Sequence, residues 1–303
     1  MIGTNGDHPR FDQRANEQAP DPLPRRLGAV GPKIVGIVQA RTGSTRLPGK
    51  VLLPIAGRPV LSWMLERVAA ASELDEVVVA TTSLAEDEPI RALAADLGVL
   101  CLSGHPTDLL DRHLKVARAR DADAVVKIPS DCPLIDPRAI DLVVGHFRRN
   151  HPRLAFVSNL HPPTWPDGND VEVVRVDVLE EAWCLATRTF QREHTTPFIW
   201  DQPERFALGG VAWPAGRDLS ATHRLTLDYQ EDFELIAEVF TALYRPTQPA
   251  FSAEEIVAYL DAHPDVRALN ARHLGDSWIS GHTAELNTLH QPHQAPTEQA
   301  GTR

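Results

Sequence analysis

Cationic and hydroxyl side chains are concentrated directly after the first apolar segment of the chain, in the sequence ARTGSTRLPGKVL at 40–52. Guanidinium, ammonium and hydroxyl groups donate hydrogen bonds to phosphate oxygens, and glycines let a backbone turn tightly and approach a ligand closely. No Asp or Glu lies between Pro22 and Leu65, so this positive charge has no acidic neighbour in the sequence. The pattern predicts a loop that binds a nucleoside triphosphate through Ala40, Arg41, Gly43, Ser44, Thr45, Arg46 and Lys50.

A solvated basic turn and a P-loop are two other interpretations of this loop. The density of cations, glycines and hydroxyls favours binding over a solvated turn. A P-loop has four residues between its glycines and a Ser or Thr after its lysine. Here five residues separate Gly43 from Gly49, and Val51 follows Lys50, so the P-loop interpretation fails.

Two aspartates stand at the ends of segments that have the apolar, β-branched character of buried strands. Asp131 follows AVVKIP at 124–129, and Asp228 ends HRLTLD at 223–228. Ligands of open parallel sheets bind at the carboxyl ends of the strands, so both carboxylates are expected to face the nucleotide phosphates. Two carboxylates, phosphate oxygens and waters would form an octahedral site suited to Mg²⁺. The alternatives are an Asp that stabilises the turn before Pro133 and an N-cap of the following helix.

The elements that must position these side chains alternate along the first half of the chain. Short segments that are apolar throughout predict strands buried on both faces, and apolar stripes at helical spacing predict helices between them. This alternation predicts an α/β fold with a doubly wound, mostly parallel sheet and right-handed crossovers. The predicted strands are 33–40, 76–82, 98–102 and 124–129, and the predicted helices are 60–69, 86–97 and 106–120. After residue 150 the predicted strands are 171–176 and 223–228, and the predicted helices lie within 177–203, at 230–243 and at 252–262.

Length and composition favour one folded domain with polar segments at both ends. The chain has 303 residues, of which 43% are apolar and 23% are charged, close to the average for globular proteins. Residues 1–32 and 282–303 lack apolar periodicity and are predicted to be disordered tails. The remaining residues, 33–281, are predicted to form a single α/β domain.

The charge and the cysteines argue against several classes of partner. The chain carries 30 basic and 41 acidic side chains, and its net charge of −11 opposes binding to nucleic acid or to an anionic membrane surface. No apolar run reaches the roughly 18 residues of a transmembrane helix. Cys101, Cys132 and Cys184 have no metal-ligand spacing, which favours a reducing cytoplasm. The oligomeric state stays open, with a homodimer among the alternatives.

The segment IVQARTGSTRLPGKVL at 37–52 closely resembles the start of the SpsF-type spore-coat polysaccharide cytidylyltransferases, which are relatives of the CMP-Kdo and CMP-acylneuraminate synthetases. The resemblance spans residues 33–262 as an ordered set of motifs. Two residues differ from the family pattern, because Thr42 stands where Met is frequent and Ser130 where Gly is usual. The further motifs are VVVATTS (77–83), DLLDR (108–112), SDCPLIDP (130–137), DGNDVEV (167–173), REHTTPFI (192–199) and RLTLDYQEDFEL (224–235).

The resemblance implies a nucleotide-diphospho-sugar transferase (GT-A-like) fold, with the cytidylyltransferase domain at 33–281. It implies transfer of CMP from CTP to an acceptor, with release of pyrophosphate, in surface polysaccharide or related biosynthesis. It also implies Mg²⁺ as the cofactor, held by Asp131 and Asp228. The residues implied in catalysis are Arg41, Arg46, Lys50 and Asp131. The base and ribose would be bound by Thr81, Thr82 and Ser83, which are otherwise a polar strand end.

The second half of the chain is expected to bind the acceptor, which the resemblance implies to be an acidic sugar. Asp170 and Glu172 alternate with valines, so their carboxylates share one face of the predicted strand and could bind sugar hydroxyls or take up a proton. Arg192 and His194 suit an anionic group on the acceptor. The alternatives are a half-exposed strand face and the start of a surface helix.

Two other functions are compatible with the same fold. A glycosyltransferase would use a finished sugar nucleotide and tends to carry an Asp-x-Asp metal motif at a strand end, whereas Asp121 and Asp123 precede a predicted strand. A non-catalytic nucleotide-binding protein is suggested only by Ser130. Release of pyrophosphate would separate both alternatives from a cytidylyltransferase.

Overall fold

A computed structural model describes residues 31–247 and 250–288 of the chain. The predicted tails fall outside the described residues at 1–30 and 289–303. The strands of the described part alternate with helices in its first half and are shorter in its second half. They are β1 (Ile34–Gln39), β2 (Pro54–Ile55), β3 (Arg58–Pro59), β4 (Glu76–Thr82), β5 (Leu100–Gly104), β6 (Ala124–Pro129), β7 (Phe156–Ser158), β8 (Glu172–Arg175) and β9 (Leu208–Gly210).

One seven-stranded sheet has the strand order β5-β4-β1-β6-β8-β7-β9, and β2 pairs with β3 in a separate hairpin. β5, β4, β1 and β6 run parallel to one another, so their carboxyl ends meet at one edge of the sheet. β8 is antiparallel to both β6 and β7, and β9 is parallel to β7. The sheet is therefore mostly parallel, which confirms the predicted α/β fold class.

Helices lie between the parallel strands and cover both faces of the sheet, because its central strands are apolar on both sides. Within 31–247 and 250–288, none of these helices is long and apolar enough to cross a membrane. The helices are α1 (Val60–Ala69), α2 (Glu88–Asp96), α3 (Leu109–Ala119), α4 (Pro137–Asn150), α5 (Val176–Leu185), α6 (Thr189–His194), α7 (Pro197–Trp200), α8 (Gln230–Leu243), α9 (Ala253–Ala262) and α10 (Pro264–Arg267). The 3₁₀ turns are Lys50–Leu52, Ala85–Asp87, Ala271–His273, Trp278–Gly281 and Thr283–Glu285.

Separate apolar clusters fill the two faces of the sheet and the space under the C-terminal helices. One cluster joins the sheet to α1 and α4, and a second joins the opposite face to α3, α5 and α6. In a third cluster, Leu225 and Leu227 are fully buried among residues of α8 and α9. Their burial anchors the segment that ends at Asp228, so the position of that carboxylate depends on the C-terminal helices.

The elements predicted for the first half are present, with one shift and one omission. The strand predicted at 98–102 begins at Leu100, because the N–H groups of Gly98 and Val99 bond to the last turn of α2. The sequence patterns did not predict α4, although Asp136 caps it through the N–H of Arg138. The parallel part of the sheet therefore follows the predicted order.

The second half departs further from its predicted elements. The strand predicted at 223–228 is wrong, because only Arg224 forms a bridge, to Asp167, while neighbouring amides donate to loop carbonyls. The strand predicted at 171–176 is shorter, and its last residue begins α5. The single helix predicted within 177–203 is divided into α5, α6 and α7, with Pro197 at the start of α7. β7 and β9 were not predicted, because each has only three residues.

Residues 282–288 belong to the folded domain, although they were predicted to start the disordered C-terminal tail. Leu286 is fully buried in the cluster under α6 and α7. The backbone N–H groups of Asn287 and Thr288 donate to the carboxylate of Asp201 at 3.0 and 2.8 Å. The boundary at 282 is thereby corrected, because one buried leucine in a polar segment gives no periodic signal.

Candidate active site

The ammonium group of Lys50 lies between two carboxylates. Its Nζ atom donates to Asp131 Oδ2 at 2.9 Å, to Asp228 Oδ1 at 2.9 Å and to the carbonyl oxygen of Leu227 at 2.7 Å. These three partners occupy all three N–H donors of the ammonium group, and Lys50 is only 8% exposed. Burial disfavours its charge, but Asp131 and Asp228 outweigh burial and raise the pKa of Lys50. The lysine therefore remains charged throughout the physiological pH range.

A tight turn directs Lys50 towards this position. Gly49 has a φ of +66°, in the left-handed region that glycine adopts without steric cost. Lys50 then begins the 3₁₀ turn Lys50–Leu52, in which Val51 is fully buried in the core. The turn and the buried valine together fix the direction in which Lys50 leaves the loop.

A backbone contact brings the segments of Asp131 and Asp228 together. The N–H of Leu227 donates to the carbonyl of Asp131 at 2.7 Å. Gly168 permits the close approach of a third segment, because a Cβ atom there would lie 2.6 Å from the carbonyl carbon of Leu225. The structure thus places both predicted metal ligands beside the predicted phosphate-binding lysine.

Asp228 is not the N-cap of α8. Tyr229 is the N-cap residue, and the N–H groups of Asp228 and Tyr229 donate to Oδ2 of Asp232 in the first turn, at 2.9 and 3.0 Å. The carboxylate of Asp228 instead accepts from cations, with Arg46 Nη2 at 2.7 Å and Arg224 Nη2 at 3.4 Å. The sequence motif showed the acidic residues here but not which of them caps the helix.

Two further aspartates make the site more acidic than the sequence analysis predicted. Burial and the charge of Asp170 raise the pKa of Asp167 to about 8. Burial and the charge of Asp131 raise the pKa of Asp170 to about 6. Burial also disfavours the charge of Asp131, but Lys50 outweighs burial and lowers the pKa of that carboxyl. The cluster therefore has more carboxyl groups than its cations can neutralise, and Asp167 and Asp170 hold their protons to a higher pH than ordinary carboxyls.

The raised pKa of Asp167 predicts that this residue makes the protein less stable as the pH rises. A folded-state pKa above the ordinary Asp value of about 3.8 favours the folded protein at low pH, and this contribution is lost as the pH rises towards about 8. Asp167→Asn is therefore expected to raise the melting temperature relative to wild type at pH 8, and to raise it less at pH 5. Thermal unfolding in EDTA across this range measures the difference. Asp218→Asn, in an exposed turn, is the matched control. Equal pH profiles for wild type and Asp167→Asn would contradict the prediction.

The donor set fits Mg²⁺ held jointly by the protein and a substrate. In the described residues, no three His, Cys, Asp or Glu side chains form a ready-made metal cage. Mg²⁺ is usually bound by one or two carboxylates together with substrate phosphates and waters. The Asp131 side chain is 30% exposed, and the thiol of Cys132 contacts its Oδ1 atom at a long distance of 3.8 Å. Asp131 can therefore accept a further ligand, and the excess charge of the cluster favours a divalent cation.

The predicted phosphate loop is closed by its own backbone. The carbonyl of Thr42 accepts the N–H of Ser44 at 2.8 Å and the N–H of Gly49 at 3.0 Å. The hydroxyl of Ser44 accepts the N–H of Leu47 at 3.3 Å. Ala40 at the start of the loop is buried, and its N–H donates to the neighbouring strand. Ala40 and Ser44 therefore shape the loop through these contacts.

Some side chains of the predicted phosphate loop are exposed to solvent, and Arg46 extends into the acidic site. Arg41 and Thr45 are exposed, and Arg41 has no hydrogen-bond partner among the residues that the structure describes. Arg46 reaches Asp228, and its guanidinium carbon lies 5.3 Å from the ring centre of Tyr229. Gly43 is exposed and does not have a positive φ, so Gly49 alone of the two glycines supplies the left-handed turn.

Thr81, Thr82 and Ser83, which were expected to contact the base and ribose, have different surroundings at the end of β4. Thr81 and Thr82 are buried, and only Ser83 is exposed. The hydroxyl of Thr81 lies in the core, because alternate residues of a strand point to opposite faces. The hydroxyl of Thr82 donates to Asp87. Only Ser83 of the three therefore offers its hydroxyl directly to a ligand.

Glu172 and Asp170, which were predicted to bind the acceptor, differ in burial and in their hydrogen-bond partners. Glu172 is buried, with Lys127 donating to Oε2 and the hydroxyl of Thr196 donating to Oε1 at 2.7 Å. Asp170 lies just before β8 and accepts the N–H of Gly168 at 3.3 Å. Lys127 was not predicted to lie in the site, although a lone cation within an apolar strand was a usable signal. Of the two carboxylates, Asp170 is the one available to an acceptor.

Arg192 and His194, which were expected to contact the anionic group of the acceptor, have other partners in the structure. Arg192 Nε donates to Asp108 Oδ2 at 2.6 Å, which fastens α6 to the start of α3. His194 stacks on Trp278 with ring centres 4.0 Å apart. Burial, together with the charge of Lys127 and other cations, lowers the pKa of His194 to about 3, so the ring is neutral near pH 7. The charge of Arg192 is paired with Asp108 and the ring of His194 is neutral, which disfavours both as partners of an anionic group.

Two sequence features suggested other functions, the Asp-x-Asp motif and Ser130. The motif lies away from the acidic site, and the backbone at position 130 is compatible with serine. The carboxylate of Asp123, from the Asp-x-Asp motif, accepts the N–H of Lys33 at 2.7 Å, at the start of β1 and so at the opposite edge of the sheet. Ser130 does not have a positive φ, and its N–H donates to Gln39 at 3.2 Å, so the position does not require glycine. Neither the glycosyltransferase nor the non-catalytic interpretation gains support.

A mostly parallel α/β sheet, with a cationic loop and a carboxylate cluster at the carboxyl ends of its strands, is the arrangement that a nucleotidyltransferase requires. The family model described as Cytidylyltransferase matches residues 35–259, and the chain belongs to this family of nucleotide-transferring enzymes. This result confirms the family that the sequence motifs indicated.

Curated relatives and a solved structure agree with this assignment. The chain is 34% identical over 244 residues to the uncharacterized protein MJ1063 of Methanocaldococcus jannaschii, covering 79% of this chain and 95% of that protein. It is 30% identical to the spore coat polysaccharide biosynthesis protein SpsF of Bacillus subtilis, covering 77% and 95%. It is 36% identical to the 3-deoxy-manno-octulosonate cytidylyltransferase of Trichlorobacter lovleyi, covering 67% and 77%. The structure of a cytidylyltransferase from Leptospira borgpetersenii has a TM-score of 0.74 and 30% identity, covering 81% and 98%.

Proposed function

We propose that the protein transfers CMP from CTP to a hydroxyl of an acidic sugar, with Mg²⁺ as cofactor, for surface polysaccharide or related biosynthesis in the cytoplasm. The observation that carries the proposal is the contact of Lys50 with Asp131 and Asp228 beside Arg46. Cations suited to phosphate oxygens and carboxylates suited to a metal lie within hydrogen-bond distance of one another. In the free protein these cations and carboxylates pair with one another. A metal-bound triphosphate would supply phosphate oxygens for the cations and a metal ion for the carboxylates.

The proposed reaction needs little covalent chemistry from the protein. The acceptor oxygen bonds to the α-phosphorus of CTP, the bond to the bridging oxygen of the β-phosphate breaks, and the hydroxyl proton leaves. Arg46 and Lys50 would bind phosphate oxygens and stabilise the departing pyrophosphate. Asp131 and Asp228 would hold Mg²⁺, which supplies positive charge at the reacting phosphate. Asp170, whose pKa is raised to about 6, suits uptake of the hydroxyl proton near neutral pH.

Two observations favour an acidic sugar as the acceptor. A relative that is 36% identical is named as a 3-deoxy-manno-octulosonate cytidylyltransferase, and its substrate is an acidic sugar. The charges of Lys127 and Arg41 both lower the pKa of His194, so both cations lie near a residue of the segment expected to bind the acceptor. Arg41, which is exposed, replaces Arg192 as the proposed partner of the acceptor's anionic group.

A reducing compartment agrees with the state of the cysteines. Cys101, Cys132 and Cys184 are all free thiols in the structure. Disulfides are rare in the cytoplasm, where thiols are kept reduced. We therefore place the proposed reaction in the cytoplasm.

CTP is expected to stabilise the protein more than UTP, GTP or ATP does, with Mg²⁺ present in each case. A ligand that binds only the folded state adds about 2.7 kcal/mol at 100 times its dissociation constant. Thermal shift titrations with the four nucleotides measure the preference. Arg46→Ala is expected to reduce the shift, whereas Arg217→Ala, an exposed arginine paired with Asp261, is expected to preserve it. An equal or larger shift with another nucleotide would exclude CTP as the preferred donor.

Pyrophosphate release then tests the acceptor. The protein is incubated with CTP, Mg²⁺ and a panel of acidic and neutral sugars, and pyrophosphate is measured. Release that depends on an acidic sugar supports the proposed function. Release of pyrophosphate with neutral sugars only would contradict the proposal of an acidic acceptor and would still support nucleotidyl transfer.

A further inference from the structure

Asp87 is a buried carboxylate that the reaction described above does not use. It ends the 3₁₀ turn Ala85–Asp87 and is fully buried. Its Oδ1 atom accepts both the N–H and the hydroxyl of Thr42, each at 2.7 Å, and its Oδ2 atom accepts the hydroxyl of Thr82. Among the described residues, no cationic side chain forms an ion pair with Asp87, so neutral donors satisfy a buried charge.

The hydrogen bonds keep this carboxylate ionised. Burial alone would raise the pKa of Asp87, but the bonds from Thr82 and Thr42 outweigh burial and lower it. Charged acceptors form stronger hydrogen bonds than neutral ones. Asp87 is therefore a strong link between Thr42, in the loop after β1, and Thr82, at the end of β4.

The link continues through the loop to Lys50. The carbonyl of Thr42 accepts the N–H of Gly49 at 3.0 Å, and Gly49 directly precedes Lys50. Arg41 directly precedes Thr42 on the other side. The carbonyl of Thr42 thus joins the two ends of the segment 42–49, and its N–H and hydroxyl attach it through Asp87 to Thr82 at the end of β4.

We propose that Asp87 and Thr42 are positioning residues of the nucleotide site, which hold the loop 41–49 in the conformation that presents Arg41, Arg46 and Lys50 to the phosphates. The proposal rests on the proposed function, because it assumes that this loop binds a nucleoside triphosphate. Neither residue needs to contact the nucleotide. If only a fraction of the molecules has the loop in the conformation that binds the nucleotide, the apparent affinity for the nucleotide decreases in proportion to that fraction.

Substitutions that remove the link should weaken nucleotide binding and leave the chemical step nearly unchanged. Thr42→Val removes the hydroxyl while keeping the side-chain shape and the backbone N–H, and is expected to raise the KM for CTP about tenfold. Asp87→Asn, which removes the charge, is expected to raise it further, towards about a hundredfold. Thr42→Ser restores the hydroxyl and should restore the KM. In each variant kcat should stay within about twofold, since only the competent fraction changes.

A second readout does not depend on the nucleotide. Hydrogen exchange of the amides at 41–49 in the ligand-free protein should become faster in Asp87→Asn and Thr42→Val. Asp75→Asn is the matched control, because Asp75 accepts the N–H of Ile34 at 2.8 Å at the other end of β1. This control should change neither the exchange of 41–49 nor the KM.

The outcomes separate this inference from the proposed function. Wild-type exchange and wild-type KM in both Thr42→Val and Asp87→Asn would overturn the inference. If Asp87→Asn does not fold, Thr42→Val and Thr42→Ser decide it. If the wild-type protein binds none of the four nucleoside triphosphates, the proposed function fails, and unchanged exchange at 41–49 would then overturn the positioning role as well.

Discussion

Asp131→Asn is expected to lower the rate of pyrophosphate release by roughly 10²- to 10³-fold while the protein remains folded. The substitution keeps the size of the side chain and removes the charge that contacts Lys50 at 2.9 Å and would hold the metal. Loss of about 3–4 kcal/mol of transition-state stabilisation accounts for this decrease. Because Asp131 is at the mouth of the sheet and its backbone contacts are unaffected, the far-ultraviolet circular dichroism should match wild type. Initial rates with saturating CTP, Mg²⁺ and an active acceptor measure the effect.

Two further variants define what this result means. Asp141→Asn is the control, since Asp141 accepts the N–H of Glu73 at 2.8 Å and lies outside the acidic cluster. Its rate should equal that of wild type. Asp228→Asn should reduce the rate as strongly as Asp131→Asn, and the double variant should lose less than the two effects combined, because both carboxylates share Lys50. A wild-type rate in Asp131→Asn would show that this carboxylate only shapes the turn.

The parallel half of the fold and the phosphate loop could be predicted because both depend on local patterns. Strands that are apolar on both faces and helices with one apolar stripe carry their periodicity within the segment itself. Asp131 was located by its place after such a strand, since carboxyl ends of parallel strands share one edge. The same reasoning found Asp228 even though its segment is not a strand. The N–H groups of Leu225 and Leu227 donate to the carbonyls of Asp167 and Asp131, and these bonds hold the segment at the edge where Asp228 follows it.

What could not be predicted is decided by partners that lie far away in the sequence. Arg192 has the residue type of an anion ligand, but Asp108, 84 positions earlier, takes its guanidinium. Thr81 belongs to a polar strand end, yet the pleat turns its hydroxyl into the core. Lys127 was hidden inside an apolar strand, and only the pairing of β6 with β8 places it against Glu172. Periodicity shows which residues share a face, but it does not show which face meets which segment.

Lys50→Met should destabilise the protein by about 3–5 kcal/mol and abolish turnover. Methionine has a similar length but no charge, so Asp131 and Asp228 would lose the ammonium that neutralises both. Removing one partner of a buried ion pair leaves an uncompensated charge, which costs far more than an exposed pair contributes. Arg58→Met is the comparison, because Arg58 pairs with Glu66 with both side chains 36% exposed. It should cost no more than about 1 kcal/mol. Urea unfolding at pH 7 gives both values.

Adding a carboxylate substitution to Lys50→Met should recover part of the lost stability, and the recovery should be asymmetric. Asp228 keeps Arg46 at 2.7 Å and Arg224 at 3.4 Å, whereas Lys50 is the cation that contacts Asp131 directly. Asp131→Asn should therefore restore about 1–3 kcal/mol in the Lys50→Met background, and Asp228→Asn should restore less. Turnover should remain absent in both double variants, because stability is regained by removing charge and not by replacing the phosphate-binding cation. Simple additivity of Lys50→Met and Asp131→Asn would show that the Lys50–Asp131 pair does not stabilise the site, and the lysine would then be held there by Asp228 and by the Leu227 carbonyl.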